Sequence, residues 1–197
     1  MLSLSVPLVL ASASPRRRAL LHSLGLAPVV RPTHADETWP HGAPPAEGVE
    51  RLAERKAEAA EARVGDADAL VIAADTIVVL DGDILGKPDS DAEAARTLRR
   101  LSGRAHTVYT GFALRYGART VCDHRATRVV FATLSDREID RYVATGSPRD
   151  KAGAYGIQDD LGALLVERIE GDYTNVVGLP LRAVYETLRD PFADLLV

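Results

Sequence analysis

A continuous apolar run from Ala69 to Ala74 constrains the fold of this chain more than any other segment. Because the run does not alternate with polar residues, we expect a β-strand that is buried on both faces. The polar pair Asp75-Thr76 interrupts the run, and a further strand is expected at residues 77–80. Helical patterns surround these strands, so the sequence predicts a mixed α/β protein.

Local signals mark the other elements. Ser90 with Glu93 and Ser135 with Glu138 match the capping-box pattern of helix starts. Asp81-Gly82 is a hairpin turn signal. With no linker or internal repeat, residues 1–197 are expected to form one domain, for which one or two lobes are both possible. The predicted strands also include residues 8–10, 27–31, 105–116, 119–132 and 163–166, and the predicted helices are residues 15–24, 46–64, 90–101, 135–145 and a segment from 180.

Composition excludes several classes of protein. The net charge of −4 argues against general nucleic-acid binding. The single cysteine, Cys122, excludes an internal disulfide and any zinc site with several cysteine ligands. The apolar segment 2–13 precedes Arg16-Arg-Arg18, the reverse of a secretory signal, and no other apolar run approaches the roughly 20 residues of a membrane span. We therefore expect a cytoplasmic protein without a membrane partner.

The segment from Ser12 to Arg18 has the chemistry of an anion site. A strand enters a turn containing Ser12 and Ser14, and Pro15 then opens a helix whose free N–H groups can face a ligand. Cations in the first helical turn oppose the helix dipole, and such breaks of local rules concentrate at functional sites. Arg16 and Arg17 would then bind phosphate; the alternative is a solvated basic face.

Two acidic positions and three lysines complete the candidate site. Asp75 follows a buried strand, where a carboxylate can hold a metal or activate water, although a turn or capping role is the alternative. Glu37 can supply further oxygen ligands to Mg²⁺. Of 24 basic residues only three are lysine, and each stands in a distinctive motif: Lys56, Lys87 and Lys151. A compact ammonium at these positions is suited to phosphate.

Several catalytic classes lack their motifs. The chain has no P-loop, no histidine pair at metal-binding spacing and no Gly-x-Ser-x-Gly nucleophile turn. A site rich in carboxylates, lysine and arginine instead suits metal-assisted attack of water on a phosphate ester or anhydride.

These segments together resemble the Maf family of nucleoside triphosphate pyrophosphatases, in family order over nearly the whole chain. The matching stretches are Leu8-Val-Leu-Ala-Ser-Ala-Ser-Pro-Arg-Arg17, Ala35-Asp-Glu37, Glu54-Arg-Lys-Ala57, Ala73-Ala-Asp-Thr76, Leu85-Gly-Lys-Pro88, Leu101-Ser-Gly103, Asp150-Lys-Ala-Gly-Ala-Tyr-Gly-Ile-Gln158 and Gly171-Asp-Tyr-Thr-Asn-Val-Val-Gly-Leu-Pro180.

The resemblance implies a two-lobed α/β fold with a central cleft, related to inosine triphosphate pyrophosphatases, and a homodimer. It implies hydrolysis of a nucleoside triphosphate to monophosphate and pyrophosphate with a divalent cation, Mg²⁺ or Mn²⁺. Asp75 matches the catalytic acid that activates water, and Glu37 with Asp75 would hold the metal. The other cleft positions are matched by Ser12, Arg17, Lys56 and Lys87, and the positions linked to substrate choice by Arg16, Thr76 and Gln158.

The form Tyr-Gly-Ile-Gln158 resembles the subgroup that acts on dTTP and UTP. A Gln amide offers one donor and one acceptor, as the 4-oxo, 3-NH edge of these bases requires. One departure follows: Asp159-Asp160-Leu-Gly162 stands where the family has Gly and a shorter turn, and its carboxylates could repel phosphate or recruit a metal. The alternatives are a pyrophosphatase acting on 7-methyl-GTP or another purine nucleotide, or a non-catalytic nucleotide-sensing protein linked to septum formation.

Overall fold

The computed structural model describes residues 2–64 and 68–197, and these form a mixed α/β fold, as predicted. Their strands are β1 (Leu8–Leu10), β2 (Val29–Val30), β3 (Leu70–Leu80), β4 (Asp83–Leu85), β5 (Ala105–Tyr116), β6 (Arg119–Phe131) and β7 (Val166–Glu170). Their α-helices are α1 (Pro15–Ser23), α2 (Pro45–Val64), α3 (Asp91–Leu101), α4 (Asp136–Val143), α5 (Tyr173–Val177) and α6 (Leu181–Arg189). Short 3₁₀ helices span Ser147–Asp150, Ala152–Ala154, Gly162–Leu165 and Ala193–Leu195.

The strands form one mixed sheet in the order β2-β1-β3-β5-β6-β7, with β4 paired to β3. β1 runs parallel to both β2 and β3, while β4 and β7 run antiparallel to β3 and β6. In the register of the parallel pair, Leu8 lies opposite Leu70 and Leu10 opposite Ile72. The sheet is thus parallel where β1 joins its two neighbours and antiparallel at the β6–β7 edge.

The chain divides into two compact units. The first comprises Met1–Asp75, Thr110–Arg125 and Gly178–Val197, and the second comprises Thr76–Tyr109 and Ala126–Val177. Strand β3 passes from the first unit to the second between Asp75 and Thr76. The candidate residues are therefore distributed between two units, and each unit is described by itself below.

In the first unit, β1 and β3 are buried on both faces, as the apolar run predicts. Leu8, Leu10, Leu70 and Ile72 pack into one apolar cluster with residues of α1 and α6. The alternate residues of the same strands pack on the other face against alanines of α2; this second cluster includes Val9, Val71, Ala53, Ala57 and Ala60. Small alanine side chains allow the helix to lie close to the sheet.

In the second unit, α3 and α4 pack together. His106 is buried beside two aromatic rings, with edge-on contacts to Phe131 and Tyr155 at centroid distances of 5.1 and 5.4 Å. Its Nε2 atom lies 2.7 Å from the Tyr155 hydroxyl. Burial lowers the pKa of His106 from 6.5 to about 4, so the ring is neutral at physiological pH.

Most local signals have the expected structure. Asp81 and Gly82 both have positive φ, 53° and 89°, which is the geometry of the tight turn that joins β3 to β4. Ser135 and Glu138 form a complete capping box at the start of α4. Ser90 caps α3 through the Glu93 N–H, but the Glu93 carboxylate accepts from the N–H of Asp89 instead, so only half of that box forms.

Two predicted elements are wrong. Asp75-Thr76 does not interrupt the sheet, because β3 continues from Leu70 to Leu80 through both residues. A polar side chain leaves the backbone ladder intact when the side chain itself has a partner. The strand predicted at 163–166 is a 3₁₀ helix, Gly162–Leu165, and β7 begins only at Val166. A short apolar run does not distinguish a helical turn from a strand.

Among the described residues, no helix combines the length and the apolar character that crossing a bilayer requires.

Candidate active site

The segment Ser12–Arg17 forms the polar turn and helix start that the sequence predicts. Ser14 is the N-cap of α1, and its Oγ accepts from the N–H of Arg17 at 3.4 Å. The Ser12 Oγ accepts from the N–H of Ser14 at 3.2 Å. Pro15 occupies the first helical position, where its missing N–H costs nothing. The two serine hydroxyls therefore fix the turn from which α1 begins.

Arg17 is held in place by protein contacts on two sides. Its Nη1 donates to Ser12 Oγ at 3.1 Å, and its Nε donates to the carbonyl oxygen of Gly178 at 2.8 Å. Burial lowers the pKa of the Arg17 guanidinium; Asp75 opposes that effect and Arg16 adds to it. Successive helical residues diverge by about 100°, and accordingly Arg16 and Arg17 are half-buried whereas Arg18 is exposed.

Lys56 lies between two carboxylates. Its ammonium is 2.5 Å from Oδ1 of Asp75 and 2.8 Å from Oε1 of Glu37. The side chains of Lys56 and Asp75 are only 12% and 15% exposed, whereas that of Glu37 is 64% exposed. A carboxylate that is mostly removed from water is costly without a charged partner, and Lys56 is that partner for Asp75. The three groups come from α2, β3 and the loop before α2.

The loop that carries Glu37 is anchored on both sides of that residue. Asp36 accepts from the N–H of Thr38 at 2.9 Å, and Arg55 of α2 donates to the Thr38 carbonyl oxygen at 2.9 Å. The Thr38 hydrogen bonds lower the pKa of Asp36. These contacts place the Glu37 side chain within reach of Lys56.

Sequence reasoning missed the packing of Trp39 on Gly48. A Cβ atom at Gly48 would lie 2.1 Å from Cζ2 of the Trp39 ring, so only glycine fits there. The indole N–H of Trp39 donates to the Ala43 carbonyl oxygen at 3.3 Å. The available signal was a glycine inside a helical pattern, which costs about 1 kcal/mol relative to alanine and often indicates close approach of another group.

The second unit contains the other candidates. Thr76 is half-buried in β3, and Lys87 is exposed after β4. The carbonyl oxygen of Gly86 accepts from the N–H of Gly153 at 3.1 Å, which brings the Lys87 segment beside the segment that follows Lys151.

Lys151 is buried, with 8% of the residue exposed. Its ammonium donates to the Ser147 carbonyl oxygen at 2.6 Å and to the Asp150 carboxylate at 2.7 Å. These contacts give Lys151 a role in holding its own segment together. Its binding of substrate stays a prediction.

Gln158 is hydrogen-bonded to Asp159, the first residue of the segment 159–162 that departs from the family pattern. Gln158 is exposed, and its Nε2 donates to Oδ1 of Asp159 at 2.8 Å. The Asp159 side chain is only 17% exposed and faces hydrogen-bond donors of the protein. Asp160, by contrast, is exposed. Both carboxylate oxygens of Asp159 are therefore hydrogen-bonded within the protein.

Glu37 and Asp75 carry oxygen ligands of the type that divalent cations take. Both carboxylates already converge on one cationic centre, the Lys56 ammonium. Two carboxylates with substrate phosphates and water are the ligands that Mg²⁺ prefers. A separate cluster among the described residues, formed by Glu50, Asp123 and His124, has ligand atoms within 4.8 Å of one another and could also hold a divalent cation.

A comparison with known protein families identifies the class of protein. The chain belongs to the Maf-like protein family, whose model matches residues 7–191.

Individual relatives carry a common name. A protein of Salinibacter ruber is 54% identical over 100% of this chain and 96% of its own length. A protein of Moorella thermoacetica is 57% identical over 92% of this chain and 93% of its own length. A protein of Symbiobacterium thermophilum is 52% identical over 92% of each. All three are named dTTP/UTP pyrophosphatase.

Proposed function

We propose that the protein hydrolyses dTTP and UTP to the nucleoside monophosphate and pyrophosphate. The family and the names of its relatives support this reaction. The observation that carries it is the Lys56 ammonium between the carboxylates of Glu37 and Asp75. The alternatives, a purine nucleotide as substrate or binding without turnover, are outcomes of the experiment below.

We assign Asp75 as the base. Lys56 donates to Oδ1 of Asp75 and so fixes the plane of the carboxylate, which leaves Oδ2 as the oxygen assigned to water. The water oxygen attacks the α-phosphorus, and its proton passes to Asp75. The bond between that phosphorus and the bridging oxygen of the β-phosphate breaks, and pyrophosphate leaves with the bonding electrons. A positioned carboxylate base contributes about 10²–10⁴-fold in rate.

We assign the binding of the substrate phosphates to residues at the start of α1. Arg17, oriented by Ser12 and Gly178, presents a planar guanidinium suited to paired phosphate oxygens. Arg16 adds positive charge at the same helix start, and Ser14 keeps the turn in place. Lys87 and Lys151 are proposed as further phosphate contacts, and Thr76 and Gln158 as residues that select the base.

A divalent cation, Mg²⁺ or Mn²⁺, is proposed as the cofactor. Glu37 and Asp75 are the residues that would hold it. When bound, such a cation neutralises phosphate charge and polarises the phosphoryl oxygens.

The experiment measures pyrophosphate and orthophosphate released from UTP, dTTP, CTP, GTP, ITP and 7-methyl-GTP with Mg²⁺ or Mn²⁺. We expect pyrophosphate from UTP and dTTP, and at least a 100-fold loss in Asp75→Asn, consistent with the loss of a general base. Release of orthophosphate would contradict the cleavage point. Turnover of a purine nucleotide alone would contradict the base preference. Nucleotide binding without turnover, equal in both proteins, would indicate a sensor.

A cytoplasmic homodimer without nucleic-acid or membrane partners is proposed as the working form. The net charge of −4 supports the absence of general nucleic-acid binding. Light scattering of the purified protein tests the dimer, because a monomer at all concentrations would contradict it.

A further inference from the structure

The carboxylate of Asp159 is enclosed by hydrogen-bond donors within the second unit. Its Oδ2 accepts from the Tyr142 hydroxyl at 2.8 Å and from the Ser147 hydroxyl at 2.6 Å. The Lys151 ammonium is 3.4 Å from the same oxygen. The other oxygen, Oδ1, accepts from the side-chain amide of Gln158 at 2.8 Å. The two oxygens of Asp159 thus have different partners.

The Oδ2 position requires an acceptor. The Tyr142 oxygen itself accepts from the N–H of Gly156 at 2.9 Å, so the Tyr142 proton is directed to Asp159. The Ser147 hydroxyl also donates to Oδ2, so two hydroxyl donors converge on that position. The hydrogen bonds to Oδ2 consequently fix the Asp159 carboxylate, and they leave Oδ1 next to the Gln158 amide.

The Oδ1 position fixes the orientation of the Gln158 amide. An ionised carboxylate is an acceptor only, so the Gln158 Nε2 must face it. Turning the amide over would place Oε1 against Oδ1, with two acceptors in contact and no proton between them. The Gln158 amide therefore has one fixed orientation. Its Oε1 and its second N–H, at the exposed end of the side chain, cannot exchange places.

We propose that Asp159 is a positioning residue that determines specificity. By accepting from Nε2, it holds the Gln158 amide in the one orientation that suits a 4-oxo, 3-NH pyrimidine and not cytosine. Uracil and thymine present an acceptor at position 4 and a donor at position 3, and cytosine presents the reverse. A locked amide matches one pattern and opposes the other, whereas an amide free to turn over accommodates both. This inference rests on the proposed function, in which Gln158 contacts the base.

The test is the ratio of kcat/KM for UTP to kcat/KM for CTP in Asp159→Asn. In this nearly isosteric variant, the Asn oxygen should stay at the Oδ2 position because the Tyr142 and Ser147 hydroxyls donate there. The Asn NH₂ then faces Gln158 and favours the turned amide. We expect the UTP/CTP ratio to fall at least about tenfold, the scale of one well-placed bidentate contact with a base. The KM for UTP should rise and the KM for CTP should fall, with kcat for UTP changed less.

Asp160→Asn is the matched control, because it removes the same charge from the adjacent, exposed residue. Its UTP/CTP ratio should equal that of the wild type. General loosening of the segment would lower kcat/KM for both nucleotides, so opposite changes in the two KM values separate positioning from structural damage. An unchanged ratio in Asp159→Asn, or an equal change in Asp160→Asn, overturns the inference.

A second variant covers the case in which Asp159→Asn does not fold, as judged by circular dichroism. Asp159→Ala removes the acceptor that faces Gln158 Nε2 and leaves the amide free to turn over. It should lower the UTP/CTP ratio about threefold, part of the effect of one base contact, and an unchanged ratio there also overturns the inference. Absence of pyrophosphate release from UTP by the wild type would instead contradict the proposed function.

Discussion

Replacing Gly48 by alanine tests how closely the Glu37 loop depends on the packing of Trp39. The new Cβ would lie 2.1 and 2.2 Å from Cζ2 and Cη2 of the Trp39 ring. Carbon atoms pack best at about 3.5–4.0 Å, so the ring must move by roughly 1.5 Å. Because Glu37 lies two residues before Trp39, the displacement should reach the contact between Glu37 and Lys56.

Two opposing effects set the change in stability. An alanine inside a helix gains up to about 1 kcal/mol over glycine. Overpacking costs about 1–3 kcal/mol. We therefore expect Gly48→Ala to lower the free energy of unfolding by about 1 kcal/mol. A misplacement of about 1 Å can cost 100-fold in rate, so kcat/KM for UTP should fall at least tenfold.

Urea denaturation and steady-state kinetics measure the two effects, and a double-mutant cycle assigns the cause. In a Trp39→Leu background the ring is absent, so the same alanine should raise the free energy of unfolding by about 1 kcal/mol. If Gly48→Ala stabilises the protein with Trp39 present and leaves kcat/KM unchanged, the reasoning from the close approach is refuted.

Two further predictions concern charge. Lys56→Met leaves Asp75 without its lysine partner, so kcat for UTP should fall at least about 100-fold and the free energy of unfolding should fall by up to about 3 kcal/mol. Lys56→Arg, measured in parallel, should retain most of the stability. A Lys56→Met variant with wild-type kcat would contradict the role of Lys56. Burial lowers the pKa of His106 from 6.5 to about 4, so below pH 6.5 the unfolded chain binds a proton that the folded protein does not. The free energy of unfolding should therefore fall by up to about 3 kcal/mol from pH 6.5 to pH 4, and denaturation of His106→Gln over the same range should lack most of this fall, whereas equal slopes would contradict the assignment.

The elements that follow from sequence are those with a local cause. The Asp81-Gly82 turn and the Ser135 cap depend on the sterics and hydrogen bonds of neighbouring residues, so both are correctly predicted. The run Ala69–Ala74 is correctly predicted as buried because every residue in it is apolar. Asp75 is a mixed case: it is half-buried at the end of the apolar run, where burial was expected, and the expected break in the strand is wrong.

The partners of charged side chains could not be predicted in the same way. The three lysines carry the same sequence signal, yet Lys56 lies between two acids, Lys87 is exposed and Lys151 is enclosed by its own segment. The contacts of Lys56 join residues that are distant in sequence, for which no local pattern exists. Asp159 illustrates the same limit, because its inward orientation depends on Tyr142 of α4.

The bond from Arg17 to Gly178 also has a consequence for the order of folding during synthesis. The acceptor lies 161 positions after the donor, and the apolar cluster around α1 is completed by Leu179, Val184 and Leu188. The second unit ends at residue 177, so its last residue is made immediately before Gly178. The arginine assigned to phosphate can acquire its fixed orientation only after residue 178 has been made, so through the first 177 residues of synthesis a nascent chain has no Gly178 carbonyl oxygen to orient Arg17.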